Sequence, residues 1–135
     1  VQSALNNNLK IIFCIGENVK EKKNNKTFSV LKKQLTKVFE KKFNKNNIIV
    51  AYEPIWSIGT GKVPNQEDLL KTIIHIKKVL KKIFKKTSPP VLYGGSVDDK
   101  NVNLFSQIKE IDGFLIGGAS KSSKKFIDII KNYYR

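Results

Sequence analysis

Ala51-Tyr52-Glu53-Pro54-Ile55-Trp56-Ser57-Ile58-Gly59-Thr60-Gly61-Lys62 is the stretch on which the reading of this chain turns. The residues just before and at its start, Ile48-Ile49-Val50-Ala51-Tyr52, form an unbroken apolar run, the pattern of a buried strand. A carboxylate, Glu53, stands at the C-terminal end of that run, and Pro54 then stops the strand because it has no N–H to give to a ladder. An aromatic residue, an apolar tip and two glycines follow. In a parallel α/β protein the loops after strand C-termini are where ligands bind, so Glu53 is a candidate base and the glycine-bearing loop a candidate lid. Taken singly, the parts are ordinary: a lone glutamate after a strand is most often a solvated charge, and Gly-Thr-Gly alone is a turn.

Outward from this stretch the chain alternates strand and helix signals. Val1 to Leu5 reads as the last turn of a helix, closed by Asn6-Asn7-Asn8, since Asn tolerates the left-handed C′ conformation. Leu9 to Ile15 reads as a strand apolar on both faces, with Cys14 as a small buried residue, and it ends in Gly16-Glu17, where Glu17 is structural. Asn18 to Lys26 reads as a charged connector, and Thr27 as the N-cap of a helix with Phe28, Leu31, Leu35, Val38 and Phe39 on one face and Lys32, Lys33, Lys37 and Lys41 solvated. Asn44 to Asn47 closes that element. After the lid, Asn65 caps a helix whose first turn carries Asp68 and whose stripe is Leu69, Ile73, Ile76, Leu80 and Ile83; the only histidine, His75, falls off the stripe and reads as a surface residue. Val91-Leu92-Tyr93 and Gly113-Phe114-Leu115-Ile116 are two further strands, each running into glycines, Gly94-Gly95-Ser96 and Gly117-Gly118-Ala119-Ser120. A short helix around Val102 to Ile108 and a last one around Phe126 to Ile130 complete the series. Repeated strand–helix order predicts right-handed βαβ units and a parallel sheet. The two glycine turns can bring successive N–H groups against an anion.

The twelve-residue stretch closely resembles the catalytic-glutamate and lid segment of the triosephosphate isomerase family. Cys14-Ile15-Gly16-Glu17, Tyr93-Gly94-Gly95-Ser96-Val97 and Asp112 to Ser120 resemble the ends of the family's fifth, seventh and eighth strands, and the spacing of all four motifs fits. The resemblance implies half of a (β/α)8 barrel over residues 1–135, strands five to eight, with the N-terminal half absent. It implies isomerisation of dihydroxyacetone phosphate and glyceraldehyde 3-phosphate through an enediol, with Glu53 moving the proton and without metal or organic cofactor. Gly59, Ser96, Gly117 and Gly118 would hold the phosphate through backbone N–H groups; Ile58 and Leu115 would supply apolar cover; Trp56 and Lys62-Val63-Pro64 would hinge the lid. Desolvation beneath such a lid raises a carboxylate's basicity. In the family the tyrosine standing where Tyr93 does latches the closed lid and the serine standing where Ser96 does contacts it; Pro64 lies where a backbone N–H would receive the tyrosine hydroxyl and has none to offer. Lys121, Lys124 and Lys125 also depart from the family pattern, and the last two oppose the helix dipole while adding to the field at the phosphate. The family's electrophilic asparagine, lysine and histidine have no counterpart here. The resemblance further implies a cytoplasmic homodimer for the whole protein, and an inactive, aggregation-prone isolated half with open sheet edges. The competing expectation is a phosphate-binding half-barrel module without isomerase chemistry.

Composition fits these expectations. The 135 residues suffice for one modest domain, and the chain opens on Val1 and contains no Met, which leads to the expectation of a piece of a longer chain. No apolar run approaches the ~20 residues of a membrane span, nothing resembles a signal peptide, and one cysteine suits a reducing cytoplasm. The net charge of +15 raises nucleic-acid or membrane binding as a possibility. However, the basic residues are lysines scattered over every helix, with Arg only at Arg135, so neither partner is expected. The excess charge would instead attract a phosphorylated substrate.

Overall fold

The computed structural model describes residues 1–40 and 43–134, which leaves Lys41, Lys42 and Arg135 outside it. Its centre is a four-stranded parallel sheet of β1 (Ile11–Ile15), β2 (Ile48–Tyr52), β3 (Val91–Tyr93) and β4 (Gly113–Phe114), in that spatial order. The sheet is flanked by α1 (Gln2–Asn6), α2 (Val19–Lys23), α3 (Thr27–Val38), α4 (Gln66–Ile83), α5 (Val102–Ser106) and α6 (Ser123–Tyr133). Ile15 lies opposite Tyr52, Tyr52 opposite Tyr93, and Tyr93 opposite Phe114, so the strand C-termini finish side by side. The chain therefore presents Gly16, Glu53, Gly94 and Leu115 along one rim. This is half of a (β/α)8 barrel, with β1 and β4 at its two edges.

Period-2 alternation explains which strand residues are buried. Ile48, Val50, Tyr52, Val91 and Tyr93 point to the helices and are buried against Leu31 and Leu35 of α3, Leu69, Ile73, Ile76 and Leu80 of α4, and Phe105 of α5. Each fully buried Leu or Ile there contributes about 1.5–3 kcal/mol. The opposite face, which is the interior of a closed barrel, carries Ile12, Cys14, Ile49, Ala51 and Leu92. Ile12 is 50% exposed and Cys14 is exposed as well, so β1 is not buried on both faces and Cys14 is not a core residue. An apolar strand reads the same from sequence whether or not its second face is covered. In α6 only Ile129 is buried; Phe126, Ile127 and Ile130 are exposed.

Local chemistry sets the element ends. Asn8 takes φ 56 just past the Asn7 C-cap of α1, the left-handed closure that asparagine tolerates. Asn65 caps α4, its side chain accepting from the Asp68 N–H at 2.7 Å. Three expectations are corrected here. Thr27 is the first residue of α3 rather than its cap; Lys26 holds the cap position and offers no side-chain bond. The charged connector contains a helix, α2, fixed by a reciprocal box in which Asn18 Oδ1 accepts from Glu21 N–H at 2.9 Å and Glu21 Oε2 from Asn18 N–H at 2.8 Å. His75 is half-buried rather than purely on the surface: its ring stacks on Phe28 at 4.5 Å and its Nε2 meets the Phe28 carbonyl at 3.0 Å. Among the described residues no helix is long and apolar enough to cross a membrane.

Candidate active site

Glu53 is the first residue past β2, and the end of β1 holds its backbone. Its N–H donates to the Ile15 carbonyl at 2.8 Å, and the Ile55 N–H donates to the Glu17 carbonyl at 3.0 Å. Gly16 sits between these bonds, and Gln34 of α3 clamps both its groups, accepting from its N–H at 3.1 Å and donating to its carbonyl at 2.9 Å. The Glu53 side chain lies over the next strand's turn: a Cβ on Gly94 would stand 2.7 Å from Glu53 Cγ and 3.2 Å from its Oε1. Glycine at 94 is therefore what lets the carboxylate rest there. Cys14 faces the same carboxylate. Desolvation, then the hydrogen-bonding and charge of Glu53, push its thiol up to about 11.

Buried Glu17 anchors the lid's first limb. Its Oε1 accepts from Trp56 Nε1 at 2.9 Å, and both its oxygens lie 3.2 Å from the Tyr52 hydroxyl, which donates to the carboxylate. Burial, reinforced by that charge, raises the Tyr52 phenol well above its ordinary range. The lid tip turns through Gly59 at φ 68 and Gly61 at φ 73, which favour glycine, and leaves Ile58 50% exposed. The second limb is pinned to the Gly94-Gly95-Ser96 turn. Ser96 Oγ donates to the Ser57 carbonyl at 2.5 Å and accepts from the Gly61 N–H at 3.3 Å, while the Ser96 N–H donates to Ser57 Oγ at 3.2 Å. Pro64 is buried, and the Tyr93 hydroxyl is buried without a hydrogen-bond partner among the described residues. Burial raises the Tyr93 phenol's pKa, and the Ser57 hydroxyl nearby offsets part of that rise.

One cleft, of about 490 Å³, collects most of these groups. Glu53, Ile58, Gly59, Ser96, Gly117 and Gly118 line it together with Lys100 and Lys125. Trp56 is not in its wall but beneath the lid, on Glu17. Leu115 is also outside its lining: half-buried, it continues the ladder from β4 through its N–H to the Tyr93 carbonyl at 3.0 Å. His75 lines a separate groove between α3 and α4. Sequence reading did not single out Lys100 or Gln34; among so many lysines, and inside an amphipathic helix, neither carries a distinguishing signal. Among the described residues no group of three or more His, Cys, Asp or Glu side chains could hold a metal ion. A carboxylate facing backbone N–H groups of glycine turns and two lysines can move a proton on a small anionic molecule held by its charged end.

The sequence model of one family, triosephosphate isomerase, matches residues 1–133. This chain belongs to that family. Among curated relatives, the triosephosphate isomerase of Yarrowia lipolytica is 42% identical over 131 residues, covering 96% of this chain and 53% of the relative. That of Saccharomyces cerevisiae is 41% identical over 132 residues, with 96% and 53% covered. The crystal structure of triosephosphate isomerase from Bartonella henselae superposes with a TM-score of 0.84 at 30% identity, over 99% of this chain and 54% of that one. The chain thus spans about half the length of the triosephosphate isomerases it matches.

Proposed function

We propose that residues 1–135 are the later half of a triosephosphate isomerase barrel and carry its base, its lid and its phosphate turns. Glu53 takes a proton from the hydroxymethyl carbon of dihydroxyacetone phosphate, leaving an enediolate. The proton on its C1 oxygen passes to the C2 oxygen through the enediol, and Glu53 returns its own proton to C2, giving glyceraldehyde 3-phosphate. The N–H groups of Gly59, Ser96, Gly117 and Gly118 hold the phosphate, and Lys100 and Lys125 deepen the positive field there. Ile58 and Leu115 exclude water from the enediol as the lid settles, and Trp56 hinges it. The observation that carries this reading is the convergence of Glu53, the lid tip and both glycine turns on one cleft. Its volume of about 490 Å³ exceeds what a triose phosphate needs and lies within the ordinary range of small-molecule sites, about 300–1,000 Å³. The electrophile that polarises the substrate carbonyl comes from the half of the family's length that this chain does not span, and the whole protein works as a cytoplasmic homodimer.

An isomerase assay tests the reading. The portion of the Yarrowia lipolytica relative that this chain does not span is joined ahead of Val1, and this joined protein is compared with the 135-residue chain alone. The chain alone should show no turnover, and the joined protein should interconvert the two triose phosphates. A folded joined protein that binds glycerol 3-phosphate without turning over substrate would instead make this half a phosphate-binding module.

A further inference from the structure

We propose that Ser57 is a positioning residue of the lid, its hydroxyl tying the two limbs to each other and to the phosphate-binding turn; this rests on the isomerase reading above. Ser57 is wholly buried in a lid whose tip is exposed. Its Oγ donates to the Lys62 carbonyl at 2.6 Å, which closes the lid's base, and accepts from the Ser96 N–H at 3.2 Å. Its carbonyl accepts from Ser96 Oγ at 2.5 Å, and Ser96 Oγ accepts from the Gly61 N–H at 3.3 Å. These four bonds form a closed ring through Ser57, Ser96, Gly61 and Lys62. An alanine at 57 would leave the Ser96 N–H and the Lys62 carbonyl without these partners.

The same hydroxyl connects lid and phosphate. The Tyr93 hydroxyl is buried with no hydrogen-bond partner among the described residues, and a Cβ on Gly95 would crowd both Tyr93 Oη and Ser57 Oγ, which puts the two oxygens beside one another. Pro64 offers the Tyr93 hydroxyl nothing, since it lacks an N–H. When the Ser96 N–H turns to a bound phosphate, it releases Ser57 Oγ, and the Tyr93 O–H takes its place. Phosphate occupancy therefore exchanges one donor for another on a single oxygen and leaves the lid tied.

Amide hydrogen exchange tests this on the 135-residue chain and on the joined protein. Ser57→Ala should speed exchange in segments 55–64 and 93–97 by about tenfold, the loss of one to two hydrogen bonds, and leave β2 unchanged, while Ser57→Thr should restore the parent rates. In the joined protein Ser57→Ala should raise KM for dihydroxyacetone phosphate about tenfold with a smaller loss of kcat, and Ser57→Thr should rescue it. With saturating inorganic phosphate, Tyr93→Phe should lose most of the lid protection that phosphate gives the parent, yet exchange like the parent without phosphate. Parent-like lid exchange in Ser57→Ala, or full phosphate protection in Tyr93→Phe, overturns the proposal. A catalytically silent joined protein whose lid still loosens in Ser57→Ala would sink the isomerase reading and leave the positioning role standing.

Discussion

Replacing Glu53 by glutamine in the joined protein lowers kcat by about a thousandfold and leaves KM within about threefold, because a general base contributes 10²–10⁴ in rate and the amide cannot accept the carbon's proton. Nothing that would hold the phosphate is touched. The Glu53 backbone stays on the Ile15 carbonyl, and the glycine turns across the cleft are unchanged. Glu53→Asp separates geometry from charge: it keeps the carboxylate but withdraws it by about one methylene, and a misplacement near 1 Å costs about a hundredfold. Steady-state assays of the three proteins check both steps. Equal turnover in all three would mean that the carboxylate at the rim serves only structure.

The second large effect concerns the backbone that carries this carboxylate. Gly16→Ala would drive a Cβ into the Glu53 carbonyl oxygen, with the carbonyl carbon at 2.7 Å and Pro54 N at 3.2 Å. These are main-chain atoms fixed by two interstrand hydrogen bonds and by the Gln34 clamp, so neither side can yield cheaply. Overpacking ordinarily costs 1–3 kcal/mol; a clash with fixed backbone belongs at or above the top of that range, about 3 kcal/mol or more. Urea unfolding of the joined protein followed by fluorescence measures it as a shift in midpoint at constant slope. Gly118→Ala is the control. Apart from its chain neighbours, no atom of the described residues lies within 4 Å of a Cβ there, and the change should stay within about 0.5 kcal/mol. Similar midpoints for the two variants would contradict the rigid junction between β1 and Glu53.

How much of this was legible beforehand follows from the physics of each element. The parallel sheet was readable because strands such as Ile48–Tyr52 and Val91–Tyr93 are short apolar runs punctuated by Pro or Gly. The α4 start was readable because Asn65 and Asp68 stand at capping distance in sequence. The α2 helix was missed although its signal, Asn18 with Glu21 three residues on, was present among many charges. The exposure of Cys14 was not readable, since apolar residues on both faces of a strand do not reveal which face a neighbour covers. Nor was the placement of Leu115 outside the cleft lining, because it depends on where the rim curves after β4. Ser57 was visible as a polar residue inside an apolar lid, but its role depends on Ser96, 39 positions away.

The most direct test of proton transfer by Glu53 is to run the joined protein on dihydroxyacetone phosphate in D2O and follow the product by NMR. A carboxylate that lifts the proton can trade it with solvent before returning it, so glyceraldehyde 3-phosphate should carry deuterium at C2, and Glu53→Gln should slow its enzymatic formation about a thousandfold. Product made by Glu53→Gln at the parent rate, with its hydrogen wholly retained, would mean direct hydride passage between the two carbons, and would contradict the assignment of Glu53 as the base.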